Sequence, residues 1–102
     1  MAAETLVAPA PASETEIRDW ATLVTVRATK GDCVVLELFG LQNPASPEVR
    51  VLAYIRNPRA DEDRPPHERI HAFPNSEHAT RFVDETILCF EYLGCIVTSE
   101  LA

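Results

Sequence analysis

The sequence predicts an α+β domain in which an antiparallel β-meander of three to four strands packs on one long C-terminal helix. Residues 23–56 contain three segments whose apolar side chains recur at every second position, which is the period of half-buried strands. Residues 79–93 instead place their apolar side chains at helical spacing along one stripe. Because the strands precede the helix and do not alternate with further helices, we expect an antiparallel sheet with the helix on one face.

The first predicted elements are a tail and a hairpin. Residues 1–16 are rich in Ala, Pro, Ser, Thr and Glu, so we expect a disordered tail and assign residues 17–102 to a single domain. Alternation predicts strands at Leu23–Thr29 and Cys33–Phe39. Between them, Lys30-Gly31-Asp32 predicts a tight turn, because glycine accepts a positive φ at little cost.

Two loops flank the third predicted strand, Glu48–Arg56. The loop before it, residues 40–47, contains two prolines, which cannot donate to a strand ladder. The loop after it, residues 57–66, is strongly charged, and we expect it to be mobile. Arg69–Phe73 then favours a short fourth strand.

The helix has signals at both ends. Pro74-Asn75-Ser76 predicts a stop followed by an N-terminal cap, and Gly94 suits the left-handed residue that ends many helices. Its apolar stripe comprises Ala79, Phe82, Val83, Thr86, Ile87, Phe90 and Leu93. Cys95–Ser99 favours a short final strand, with a helical extension as the alternative.

The second face of the sheet is the predicted binding surface. A single helix covers only one face, yet the strands carry apolar residues on both faces. The residues expected to point away from the helix are Val35, Phe39, Leu52 and Tyr54. Contiguous apolar area on a small monomer is typical of an interaction surface, so we expect these residues to contact a protein partner, most simply in a homodimer. The alternative is that residues 1–20, with Ile17 and Trp20, fold back over this face.

The pentapeptide His67-Glu68-Arg69-Ile70-His71 matches the HExxH pattern of zinc hydrolases. Such a site requires a stable helix, since one helical turn must stack both imidazoles on one metal. Pro65-Pro66 and Pro74 leave barely two turns between helix breakers, and Asp61–Arg64 offers no apolar face for packing. We therefore predict neither catalytic nor metal-binding residues here, and interpret the stretch as an exposed loop entering a short strand with His71 on its solvent side.

Composition narrows the class of protein. A net charge of −7 argues against binding to a nucleic-acid backbone, which requires clustered Lys and Arg. The three cysteines, an odd number, lie among apolar neighbours and predict reduced, buried thiols. The sequence shows neither a secretory signal nor an apolar run of about 20 residues, so we expect a cytoplasmic protein that does not bind membranes.

The functional expectation follows from these exclusions. With three glycines, the chain offers no phosphate-binding loop, and we expect no cofactor. The preferred hypothesis is a small acidic, non-enzymatic protein-interaction module, such as an adaptor, chaperone-like factor or inhibitor, that self-associates through the second sheet face. The alternative hypothesis is a small zinc-dependent hydrolase that uses His67, Glu68 and His71.

Overall fold

The fold is a five-stranded sheet with one helix. A computed structural model describes residues 17, 19–57 and 64–101. The elements are β1 (Ala21–Lys30), β2 (Cys33–Gln42), β3 (Val49–Ile55), β4 (His67–Phe73), α1 (Ser76–Tyr92) and β5 (Ile96–Leu101). The strand order is β4-β3-β2-β1-β5, and every neighbouring pair is antiparallel. The predicted α+β fold, with a meander of four strands, a C-terminal helix and a final strand, is confirmed.

Two predicted segments cannot be compared with this fold. The tail predicted for residues 1–16 and the larger part of the charged loop, residues 58–63, lie outside the described residues. At the base of that loop, the Arg56 Nη1 donates a hydrogen bond to the Arg64 carbonyl oxygen at 2.8 Å. This bond joins the end of β3 to the approach to β4.

The β1–β2 hairpin is longer than the alternation predicted. Lys30 pairs with Cys33 across the two-residue turn Gly31-Asp32, and Gly31 has φ +62°, as a type II′ turn requires at its first central residue. At the other end, β2 continues through Gly40, where the sequence predicted a loop. A Cβ at Gly40 would lie 2.9 Å from Cγ1 of Val24, so the strand needs glycine there to approach its neighbour closely.

A bulge places Val35 on the opposite side from the predicted one. In the β1–β2 ladder Ala28 pairs with Leu36 and Thr29 pairs with Val34, so Val35 is an extra residue without a partner on β1. Val35 is buried in the cluster that contains the helix residues Ala79 and Val83, and the prediction that it faces away from the helix is wrong. Strict alternation cannot anticipate an inserted residue, which shifts the phase of every position on one side of it.

The main core lies between the sheet and α1. Its largest fully buried side chains come from the three central strands: Val26, Leu36, Leu38, Val49 and Val51. The helix contributes two buried residues, Ala79 and Val83, while Phe82, Ile87 and Phe90 are half-buried and pack against this cluster. Because α1 follows β4 at one edge of the sheet and precedes β5 at the other, it crosses the sheet face.

Both ends of α1 are capped as the sequence predicted. Asn75 is the N-cap, and its side-chain oxygen accepts a hydrogen bond from the His78 amide at 3.0 Å. At the C-terminus the Cys95 amide donates to the Phe90 carbonyl at 3.0 Å, and Gly94 has φ +91°, as in a Schellman motif. No helix among residues 17, 19–57 and 64–101 is long and apolar enough to cross a membrane.

The hairpin also supports the helix terminus. Lys30, at the end of β1, donates from Nζ to the Leu93 carbonyl oxygen at 2.9 Å. A cation near the last carbonyls of a helix interacts favourably with the partial negative charge there. The last turn of α1 has no basic residue of its own, so the β1–β2 hairpin supplies this charge.

Candidate functional site

The HExxH pattern lies on a β-strand and not on a helix. His67 and His71 are residues of β4, paired with Ile55 and Val51 of β3. Four residues along an extended strand span about 13 Å, whereas both imidazoles of a zinc site must lie about 2 Å from one ion. Glu68 pairs with Tyr54 and points to the other face of the sheet. This geometry does not form the HExxH zinc site that the alternative hypothesis requires.

His71 faces α1, and the prediction that it lies on the solvent side is wrong. Its ring centroid lies 4.9 Å from that of Phe82 and 6.5 Å from that of Phe73. The neighbouring Ile70 packs on the opposite face, so both faces of β4 have apolar contacts. Among the described residues, no group of three or more His, Cys, Asp and Glu side chains could hold a metal ion.

Three of the four residues predicted to bind a partner do share the face away from α1. Phe39 pairs with Leu52 across β2 and β3, and the Phe39 and Tyr54 rings meet edge to face at 6.3 Å. They belong to a second cluster with Leu41 and Ile70, which we call the rear cluster. Val35 is not part of it, for the reason given above.

The rear cluster is already covered within the chain. Ile17 is 1% exposed and packs in this cluster with Leu52, which is 8% exposed. Trp20 packs against the same residues, and its amide donates to the Ile17 carbonyl oxygen at 3.0 Å. The alternative interpretation of the sequence is therefore confirmed for Ile17 and Trp20, whereas residues 1–16 lie outside the described residues. Leu52 is not open to a partner in this conformation.

A cation–π contact and an ion pair hold Trp20 against the sheet. The Arg50 guanidinium lies 5.0 Å from the centre of the Trp20 ring, a cation–π contact. Arg50 Nε also donates to Glu48 Oε2 at 2.9 Å, and Asn43 Nδ2 donates to Glu48 Oε1 at 3.0 Å. Partial burial raises the pKa of Glu48, but the hydrogen bonds from Arg50 and Asn43 outweigh it, and the pKa lies below its ordinary value.

The ion pair between Arg50 and Glu48 leads us to expect that the protein loses stability in acid. Because the folded-state pKa of Glu48 is below the unfolded-state value, its contribution is complete above the unfolded-state pKa and is lost as the pH falls through the folded-state pKa. We expect Glu48→Gln to lower the free energy of unfolding by less than about 1 kcal/mol at neutral pH. Urea titrations should show this difference shrinking in acid. Glu37→Gln, which removes the more exposed ion pair with Arg27, is the control. An equal effect of Glu48→Gln at pH 7 and pH 3 would contradict the assignment.

Within residues 17, 19–57 and 64–101, the most exposed large apolar side chains lie between residues 88 and 101. Leu88 is 63% and Tyr92 91% exposed on the outer side of α1, while Ile96 is 72% and Leu101 85% exposed on β5. Leu93, predicted as part of the buried stripe, is also exposed. The sequence contained one signal for the exposure of Leu88 and Tyr92. These two residues fall one helical turn apart on the side of the helix that is otherwise polar.

All three cysteines are free thiols, and none of them is fully buried. Cys33 and Cys95 are half-buried, and Cys89 is exposed on α1. The prediction of buried thiols is therefore wrong, most clearly for Cys89. Apolar sequence neighbours do not imply burial on a helix, because adjacent positions point in different directions.

The outer edge of β5 is open among the described residues. β5 pairs with β1 on one side, and the strand order places no described strand on its other side. Edge strands usually carry lysine, proline or inward charges that prevent further pairing. β5 has the sequence Ile-Val-Thr-Ser-Glu-Leu, with Glu100 as its one charge. The opposite edge, β4, carries His67, Glu68 and Arg69.

An apolar cleft adjoins this open edge. It has a volume of about 290 Å³ and lies between α1 and the strands, because one helix cannot fill the width of five strands. Its walls include Leu23, Val24, Val51, Val83 and Ile87, and Ser99 and Leu101 of β5 also line it. The strand edge and the cleft therefore meet at Leu101.

The chain matches no protein-family model, and no curated protein or solved structure is significantly similar to it. A function for the chain has to be inferred from its own surfaces. Among the described residues, the open edge of β5 and the cleft beside it combine unpaired strand backbone with an apolar pocket.

Proposed function

We propose that this chain is a small acidic protein-interaction module, without a catalytic role, that binds an extended segment of a protein partner along the edge of β5. The observation that carries the proposal is the open edge itself, with Ile96 and Leu101 largely exposed on it. In strand addition, main-chain hydrogen bonds supply affinity and alternate side chains of the added strand enter neighbouring pockets. The cleft at Leu101 is such a pocket.

The proposed partner contact lies at the edge of β5 and not on the sheet face that the sequence indicated. Leu52 lies under Ile17, so the rear cluster has a cover within the chain. The β5 edge instead combines exposed apolar side chains with backbone groups that no described strand satisfies. An adaptor, a chaperone-like factor or an inhibitor can each use such an edge. A cytoplasmic location remains part of the proposal, and the three free thiols support it, because reducing compartments keep cysteines unpaired.

The proposal is tested with a fluorescently labelled peptide of alternating valine and threonine, whose anisotropy reports binding to dilute protein. We expect saturable binding, and we expect Leu101→Lys to weaken it about tenfold, which corresponds to about 1.4 kcal/mol. Leu88→Lys is the matched control, since it places the same charge on an exposed leucine of α1. A peptide with proline at alternate positions should not bind, because proline cannot donate to the ladder.

Two outcomes would overturn strand addition at β5. One is the absence of saturable binding by the valine–threonine peptide at protein concentrations where the chain is monomeric. The other is binding that Leu101→Lys and Leu88→Lys weaken equally, which would place the contact elsewhere.

A further inference from the structure

We infer that the segment received by β5 is β5 of a second copy of this chain, paired antiparallel about Ser99. The pairing joins the two sheets edge to edge into one continuous sheet. This inference rests on the proposed strand addition and names its partner. The inference is supported by the side chains and charges of β5, which are complementary to those of a second β5 in this antiparallel register.

Symmetry limits the possible registers. Directly opposed residues in an antiparallel pair lie on the same face of the sheet, and side chains alternate along the strand. A twofold axis through the middle of β5 therefore passes through either Thr98 or Ser99. With the axis at Ser99, Val97 of each copy faces Leu101 of the other.

The Ser99 register forms an apolar pair on the helix side. Val97 and Leu101 pair with Ala28 and Val24 of β1, and both of these residues contact the main core below α1. Opposed side chains in such a pair have Cβ atoms about 4.5–5.5 Å apart. Val97 of the second copy therefore covers Leu101, which is 85% exposed in one copy, and extends the wall of the cleft.

The same register is complementary in charge on the rear side. It places Glu100 of the second copy opposite Thr98, and Thr98 pairs on its other side with Arg27. Two strand spacings separate Arg27 from this glutamate, about 9–10 Å between Cα atoms, a distance that the two long side chains can span. Arg27 donates to Glu37 at 2.8 Å, and its side chain is 57% exposed. It therefore has further N–H groups for a second carboxylate.

The rival arrangements fit less well. An axis at Thr98 places the apolar Ile96 opposite Glu100 of the second copy and leaves Leu101 outside the pairing. Pairing of β5 with the β4 edge of another copy does not close on itself and would continue as a filament. It would also bring β5 against the charged positions Glu68 and Arg69.

Disulfide trapping of the full chain tests the register. In the Ser99-centred dimer, the two Ser99 Cα atoms lie about 4.5–5.5 Å apart, within the range of a disulfide, whereas the two Thr98 Cα atoms lie roughly 8 Å apart and outside it. We expect mild oxidation of Ser99→Cys to give at least a fivefold larger fraction of covalent dimer than oxidation of Thr98→Cys. Wild-type protein oxidised in parallel measures the background from the three native thiols. Light scattering of the reduced wild-type protein should show a mass that rises from monomer to dimer with concentration.

The outcomes separate this inference from the proposed function. Preferential trapping of Ser99→Cys, with dimer formation lost in Leu101→Lys and kept in Leu88→Lys, supports the pairing. Preferential trapping of Thr98→Cys, or a wild-type chain that stays monomeric at millimolar concentration, overturns it. If the chain stays monomeric but the valine–threonine peptide binds, strand addition stands and the partner is another protein. If neither occurs, both proposals fail.

Discussion

Leu52→Asp is expected to unfold the protein or to lower its free energy of unfolding by more than about 4 kcal/mol. Leu52 is 8% exposed in the rear cluster, where Ile17 and Leu41 are buried with it. The substitution removes an apolar contact and places a carboxylate in a buried apolar cluster, and burying a charge without a partner is costly. Far-UV circular dichroism during urea titration measures the loss. Leu88→Asp, at an exposed leucine of α1, should cost less than about 1 kcal/mol.

The opposite result would restore the interpretation that the sequence first suggested. If Leu52→Asp keeps the wild-type free energy of unfolding but elutes at a smaller size, the rear cluster is open in solution and forms the contact between copies. Ile17 would then not hold its place over Leu52. The same variant therefore distinguishes an internal face from a binding face.

Phe82→Ala should lower the free energy of unfolding by about 3 kcal/mol, the lower end of the range for buried phenylalanine. The Phe82 ring centroid lies 5.1 Å from that of Phe73 and 4.9 Å from that of His71, so truncation removes these ring contacts between α1 and β4. Half-burial of the side chain places the expected loss at the lower end. The measurement is again a denaturant titration.

Tyr92→Ala is the matched control for this prediction. Tyr92 is an aromatic residue of the same helix but is 91% exposed, and its truncation should change the free energy of unfolding by less than about 0.5 kcal/mol. Equal effects of the two substitutions would show that α1 does not pack on the sheet through Phe82. A loss below about 1 kcal/mol for Phe82→Ala would show the same.

Local signals in the sequence predicted the elements well. The alternation in β1, β2 and β3 is a direct consequence of one strand face packing against α1. Asn75 and Gly94 cap the two ends of α1 through their own side-chain and backbone geometry, which does not depend on distant residues. Elements defined by such short-range causes can be identified from the sequence.

Features that depend on distant residues could not be predicted in the same way. Gly40 resembles a loop residue until Val24 is known to lie against it, and the bulge at Val35 arises from the pairing of two strands. For the candidate site, alternation correctly grouped Phe39, Leu52 and Tyr54, because they share one face. The alternation in β2 and β3 did not determine whether Ile17 covers that face. The sequences of these strands do not encode where a preceding segment packs.

The position of β5 in the sheet has a consequence for the order of folding. β1 meets β2 across a two-residue turn, but it meets β5 only after nearly the whole domain has been traversed, with Thr29 and Ile96 separated by 67 residues. Closing so long a loop costs chain entropy before any contact compensates for it, so local hairpins form more readily than this pairing. We infer that β5 docks late and detaches first. Each detachment uncovers the edge of β1, an inner strand of the sheet, and the intact pairing therefore shields the backbone groups of β1 from other chains.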